Sequence, residues 1–160
     1  MKPDALAQRI IELAAAAKVK IVLAESCTGG LIAATLTNIS GASSVLDRGL
    51  VTYSNQAKQD LLAVPEATLQ NYGAVSSQTA IAMCTGGLAM TLDAHIAASV
   101  TGIAGPGGGS ADKPVGLVHF ACQMRGKKIQ HEQHIFSGDR TEIRQKALVN
   151  SLMMIYNELK

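Results

Sequence analysis

KIVLAESCTGG, residues 20–30, reads as a buried strand that runs into a loop and then a helix. Lys20 to Glu25 is an apolar run of strand length, and the small polar and glycine residues Ser26 to Gly30 end it. Leu31 to Ile39 then has helical character and stops at Ser40-Gly41. An apolar strand followed directly by a helix is the unit from which sheets covered by helices are built.

The flanking sequence repeats that unit. Upstream, Leu6, Ile10, Leu13 and Ala17 fall at helical spacing over residues 4–17, with Asp4 placed to cap the start. Downstream, a second strand is predicted at about Leu46–Tyr53. Asn55 is placed to cap a helix over Gln56–Ala63 that ends before Pro65. Glu66–Tyr72 is a short helical stretch closed by Gly73, and Ser76 is the N-cap of a longer helix reaching Leu92, with Gly86-Gly87 weakening its middle. HIAASVT, residues 95–101, is the third apolar strand, followed by the glycine-rich loop Gly102–Pro114. Val115–Met124 and Lys128–Ser137 form a hairpin turning at Arg125-Gly126. Asp139 to Glu142 resembles a capping box at the head of a last helix. The expected fold is α/β: one domain over residues 1–160, a three-layer α/β/α sandwich. Its sheet is mixed and mostly parallel, with a C-terminal antiparallel hairpin.

Composition excludes several functions. At 48% hydrophobic and a net charge of +2, the 160 residues read as a soluble globular chain with no phosphate-tracking stripe of cations. Aromatics are 3% and Trp is absent, so stacking platforms for single-stranded nucleic acid are lacking, and no nucleic-acid partner is expected. Cys27, Cys84 and Cys122 are odd in number and unpaired in spacing, which argues against disulfides and a zinc knuckle. Asp4, Arg9 and Glu12 interrupt the N-terminal apolar run, so neither a signal peptide nor a membrane span is expected. The expected location is the cytoplasm.

In open α/β sheets, ligands gather at the carboxyl ends of parallel strands. Three segments would meet there: Ser26–Gly30, Tyr53–Lys58 and Thr101–Gly109. The amides of Cys27, Thr28, Gly29 and Gly30, at a helix start, can hold a phosphate or an oxyanion, or Ser26 and Thr28 can simply cap the helix. Cys27 is a second candidate nucleophile, against the reading of a buried inert thiol. Lys58 can deprotonate a serine only if burial or positive charge lowers its pKa, with Tyr53 and Asn55 near enough in sequence to orient it; otherwise it is a solvated helix lysine. The loop from Gly102 through Gly105 to Gly109 leads into a strand, so it fits neither a dinucleotide fingerprint nor a P-loop. Its amides can still meet a phosphate or a ring. Arg140 can bind a phosphate or carboxylate, or be an exposed first-turn residue. His95, His119, His131 and His134 lie in predicted strands away from these loops, and His131 and His134 point to opposite faces, which suits neither a triad nor a metal.

At these residues the chain resembles the CinA C-terminal domain family, whose stand-alone members are nicotinamide mononucleotide deamidases. The resemblance is carried by residues 24–64 (AESCTGGLIAATLTNISGASSVLDRGLVTYSNQAKQDLLAV), 72–80 (YGAVSSQTA), 99–109 (SVTGIAGPGGG), 113–118 (KPVGLV) and 137–144 (SGDRTEIR). Each motif is weak alone, but their ordered set is specific and spans most of the chain. It implies hydrolysis of the carboxamide of nicotinamide mononucleotide by a serine–lysine mechanism, with no metal and no cofactor, in a homodimer or higher homo-oligomer. By position, Ser26 corresponds to the nucleophile and Lys58 to the general base, with Tyr53 and Asn55 beside it. Thr101 and Arg140 correspond to substrate contacts. Ala63, where the family usually has Gly, and Cys84-Thr85 depart from the pattern. A non-catalytic mononucleotide-binding or regulatory module, and a hydrolase of another amide, remain as competing expectations.

Overall fold

The computed structural model describes residues 2–160. In chain order its elements are α1 (Pro3–Ala17), β1 (Ile21–Glu25), α2 (Leu31–Thr37), β2 (Leu46–Val51), α3 (Asn55–Leu62), α4 (Glu66–Tyr72), α5 (Ser77–Met90), β3 (Ile96–Gly102), β4 (Leu117–Met124), β5 (Gln130–Ile135) and α6 (Arg140–Leu159). The strands form one sheet in the order β2-β1-β3-β4-β5. β1 pairs parallel with β2 and β3, whereas β3–β4 and β4–β5 are antiparallel. The antiparallel part therefore extends one ladder beyond the terminal hairpin, because β4 returns directly alongside β3.

Every residue of β1 is buried, and the period of two along it builds both hydrophobic layers. Ile21 and Leu23 face Leu6 and Ile10 of α1, Leu36 of α2, and Ile143 and Leu152 of α6. Val22 packs with Ala80, Cys84 and Leu88 of α5, and Ala24 packs with Leu62, Leu69 and Met83. The glycines predicted to weaken α5 instead let it approach α3: a Cβ on Gly86 would sit 1.8 Å from the Leu62 carbonyl oxygen. Only a residue without a side chain fits that crossing.

Local differences from the sequence expectation have simple causes. Asp4 lies in the first turn of α1 but makes no cap; Pro3 starts the helix, and Pro is suited to that position because it needs no amide partner. Asn55 is the first residue of α3, and Ser54 caps it by accepting the Ala57 N–H at 3.0 Å. β2 ends at Val51, since Thr52 leaves the ladder after donating its N–H to the Glu25 carbonyl. Asp139 and Glu142 form the capping box of α6. Ala63 closes α3 at φ +52°, a left-handed conformation that favours Gly. The loops after β1, β2 and β3 all leave the same end of the sheet.

Candidate active site

Alternation continues past the end of β1 and sends Glu25 and Ser26 to opposite sides. Glu25 is 1% exposed and turns toward α2. Its carboxylate accepts the Thr28 hydroxyl at 2.6 Å and the N–H groups of Gly30, Ile32 and Ala33 at 3.0, 3.2 and 2.9 Å. Ser26 turns toward α3, where Lys58 Nζ lies 2.9 Å from its Oγ. The same amine donates to the Thr52 carbonyl at 2.7 Å. Lys58 is 0% exposed, and none of the ion pairs among the described residues includes it. Burial without a counter-charge disfavours the ammonium and lowers the pKa to about 8. A serine hydroxyl in contact with an amine that loses its proton near neutral pH is a nucleophile–base pair.

The pair opens onto a cavity of about 260 Å³. Of the residues singled out in the sequence, Ser26, Cys27, Tyr53, Lys58, Thr101, Gly102, Gly105 and Arg140 line it. Arg140 is held at its rim by donating to the Gly105 carbonyl at 2.7 Å and to the Tyr53 hydroxyl at 3.1 Å. The Thr101 hydroxyl donates to the Ala74 carbonyl at 2.7 Å and so ties down the cavity wall. Ile103, Ala104, Gly107 and Gly108, within the loop expected there, complete the lining together with Ala74 and Val75, which spacing does not mark. The N–H groups of Cys27, Ala104, Gly105, Gly107 and Gly108 have no backbone or side-chain oxygen acceptor. They are among the lining donors left to meet a ligand.

Four expected contacts are not at the cavity. Thr28, Gly29 and Gly30 do not line it, because the Thr28 hydroxyl and Gly30 N–H serve Glu25 and the Gly29 N–H closes a turn onto the Ser26 carbonyl at 3.0 Å. Asn55 is exposed on the outside of α3 and also does not line it. Neither Tyr53 nor Asn55 orients Lys58; the Thr52 carbonyl does. Cys27 is 7% exposed, and burial raises its thiol to about 12, so it holds almost no thiolate at neutral pH. His119 and His131 pair with each other at 3.2 Å, His134 pairs with Glu132 at 3.0 Å, and His95 accepts the Lys20 N–H. None of the four lines the cavity. Another hollow, about 400 Å³ beside α6, contains no serine, cysteine or histidine.

One residue the sequence reading passed over is Arg144. It donates from α6 to the Cys27 carbonyl at 3.2 Å and the Thr28 carbonyl at 2.8 Å. It lies one helical turn from Arg140, so the two guanidinium groups reach the same end of the sheet.

Residues 3–159 match the family model described as the CinA C-terminal domain. The chain is 47% identical over 161 residues to a nicotinamide-nucleotide amidohydrolase PncC from Enterobacter agglomerans, covering 99% of this chain and 98% of that one. It is 51% identical over 150 residues to a putative competence-damage inducible protein from Caldicellulosiruptor bescii, covering 92% of this chain but only 36% of that one. The chain thus spans about a third of the length of that relative. Among solved structures, the competence/damage inducible protein CihA from Agrobacterium tumefaciens superposes with a TM-score of 0.95 at 49% identity, over 98% of this chain and 94% of that one. A CinA superfamily protein from Klebsiella pneumoniae gives a TM-score of 0.93 at 33% identity, over 99% of this chain and 98% of that one. No helix among the described residues is long and apolar enough to cross a membrane.

Proposed function

Since this chain belongs to the CinA C-terminal domain family, we propose that it hydrolyses the carboxamide of nicotinamide mononucleotide to nicotinate mononucleotide and ammonia, with Ser26 as nucleophile and Lys58 as general base. The full-length similarity to a nicotinamide-nucleotide amidohydrolase supports the substrate. The observation that carries the chemistry is the 2.9 Å contact between Ser26 Oγ and a fully buried amine with no counter-charge.

In the first step neutral Lys58 takes the Ser26 hydroxyl proton as the Oγ–carbon bond forms and the amide carbonyl becomes an oxyanion. Collapse of that intermediate breaks the C–N bond, and the proton on Lys58 passes to the leaving nitrogen, giving ammonia and a Ser26 ester. Water then attacks the ester, Lys58 takes its proton, and collapse releases nicotinate mononucleotide while the proton returns to Ser26. The Thr52 carbonyl holds the amine in line throughout. Arg140 and the Gly107–Gly108 amides at the rim receive the phosphate; Tyr53 and Gly105 fix the guanidinium for that role.

The enzyme acts in the cytoplasm, a reducing compartment that suits its three free buried cysteines. It works as a homodimer, for which the unpaired edge of β5, with Ile135 exposed at 63%, offers a seam. The test is ammonia release from nicotinamide mononucleotide by the wild type, Ser26→Ala and Cys27→Ala. Ser26→Ala should lose turnover while still binding the nucleotide, and Cys27→Ala should keep it. Tight binding without ammonia from the wild type would make the chain a binding module instead.

A further inference from the structure

The turn Ser26–Gly29 is held by two opposite charges that the proposed chemistry does not use. Glu25 grips it from below: the carboxylate takes the Thr28 hydroxyl, the Gly30 N–H and two amides of the first turn of α2. Arg144 grips it from α6, through the carbonyls of Cys27 and Thr28. One consequence is exclusion. The amide tip of α2, the obvious place for a developing negative charge, already holds a buried carboxylate, and a second anion there would meet like charge in a medium that screens it poorly.

The other consequence is orientation. The Ser26 carbonyl accepts the Gly29 N–H at 3.0 Å. In a trans peptide the N–H points opposite to the carbonyl, so the Cys27 N–H is turned away from Gly29 and has no oxygen acceptor. Cys27 itself lines the catalytic cavity, and the unpaired amides of Ala104 and Gly105 line the same space. A donor on the residue after the nucleophile, paired with one from a separate loop, is the arrangement that receives an oxyanion in other serine hydrolases.

Resting on the Ser26–Lys58 reading, we propose that the oxyanion is received by the Cys27 N–H together with the Ala104–Gly105 amides, and that Arg144 is the positioning residue that keeps this turn in register. Arg144 acts on the transition state alone. It touches two carbonyls of the turn, and it does not line the cavity. A lysine in its place would carry the charge but could not span both carbonyls with one planar fork.

The test compares Arg144→Ala, Arg144→Lys and Ser26→Ala with the wild type. The readouts are turnover of nicotinamide mononucleotide, and affinity for two probes: its 3-formyl analogue, whose aldehyde carbon bonds Ser26 Oγ as the hydroxyl proton passes to Lys58, leaving a tetrahedral oxyanion, and the product nicotinate mononucleotide. For Arg144→Ala we expect kcat to fall about 100-fold, the scale of one lost oxyanion donor. Its KM should stay within about threefold, the loss falling on the transition state. Affinity for the aldehyde should fall by the same factor as kcat, while affinity for the product and the pH at which activity rises stay in place. Added guanidinium should restore part of the rate, and Arg144→Lys should fall between the two. A kcat loss with unchanged aldehyde affinity, or one matched by an equal loss of product affinity, overturns the proposal. Unchanged aldehyde affinity in Ser26→Ala would instead remove the nucleophile assignment on which it rests.

Discussion

The two sides of the β1 terminus each bury an ionisable group, and they treat it in opposite ways. On the α2 side Glu25 is 1% exposed and receives four hydrogen bonds, three from backbone amides at a helix start. On the α3 side Lys58 is 0% exposed and has one carbonyl and one hydroxyl as partners, with no carboxylate. Glu25 is a charge fully solvated by protein, and it fixes a turn. Lys58 is a charge left short of partners, and the shortage lowers its pKa to about 8 and makes a base of it. The two groups that flank this strand end thus divide structural from chemical work by how completely each is satisfied.

The largest effect that would break the comparison is on the lysine side. Lys58→Met should lower turnover by about 10³-fold or more, since general-base assistance is lost. The same substitution should raise stability, because a buried amine that resists its charge is a cost to the fold. The folded pKa of about 8 lies below the unfolded 10.5, so the native state is penalised most below pH 8 and relieved as pH rises toward 10.5. That interval corresponds to about 3 kcal/mol, of which the methionine should recover about 1–3 kcal/mol at pH 7 in denaturant unfolding. A destabilised Lys58→Met protein would contradict this half of the account.

On the glutamate side the expected effect on stability is opposite in sign. Glu25→Gln puts an amide donor against amide donors at a position that is 1% exposed. It should cost about 2–4 kcal/mol, read as a lower unfolding midpoint. A neutral result would mean that Glu25 does not organise the turn. The smallest effect tests the packing that carries Lys58. Ala63 ends α3 at φ +52°, and Ala63→Gly should stabilise the protein by about 0.5–1 kcal/mol, with turnover unchanged.

The layers of the fold were legible because the periodicities are clean. Ile21, Leu23 and Val22, Ala24 alternate faces without interruption, and helices separate the first three strands. What spacing does not carry is the partner of each polar group. Thr28 and Gly30 look like ligand-binding residues until Glu25 is seen to consume their donors. Tyr53 and Asn55 sit nearer to Lys58 in sequence than Ser26 does, yet the amine meets Ser26 across 32 positions. The backbone carbonyl of Thr52, which no side-chain pattern encodes, completes its contacts. Two signals were available and unread: an acid closing an otherwise apolar strand, and an arginine one helical turn beyond Arg140. Both point to buried turns that need charge.

The central claim is that Lys58 is a neutral amine for part of the time at physiological pH. Titration of its Nζ by NMR, in protein labelled at lysine and assigned with Lys58→Met, tests this directly. The expected result is a Lys58 amine that titrates near pH 8, below the 10.5 of an ordinary lysine. An Lys58 resonance that stays protonated up to that ordinary value would contradict it.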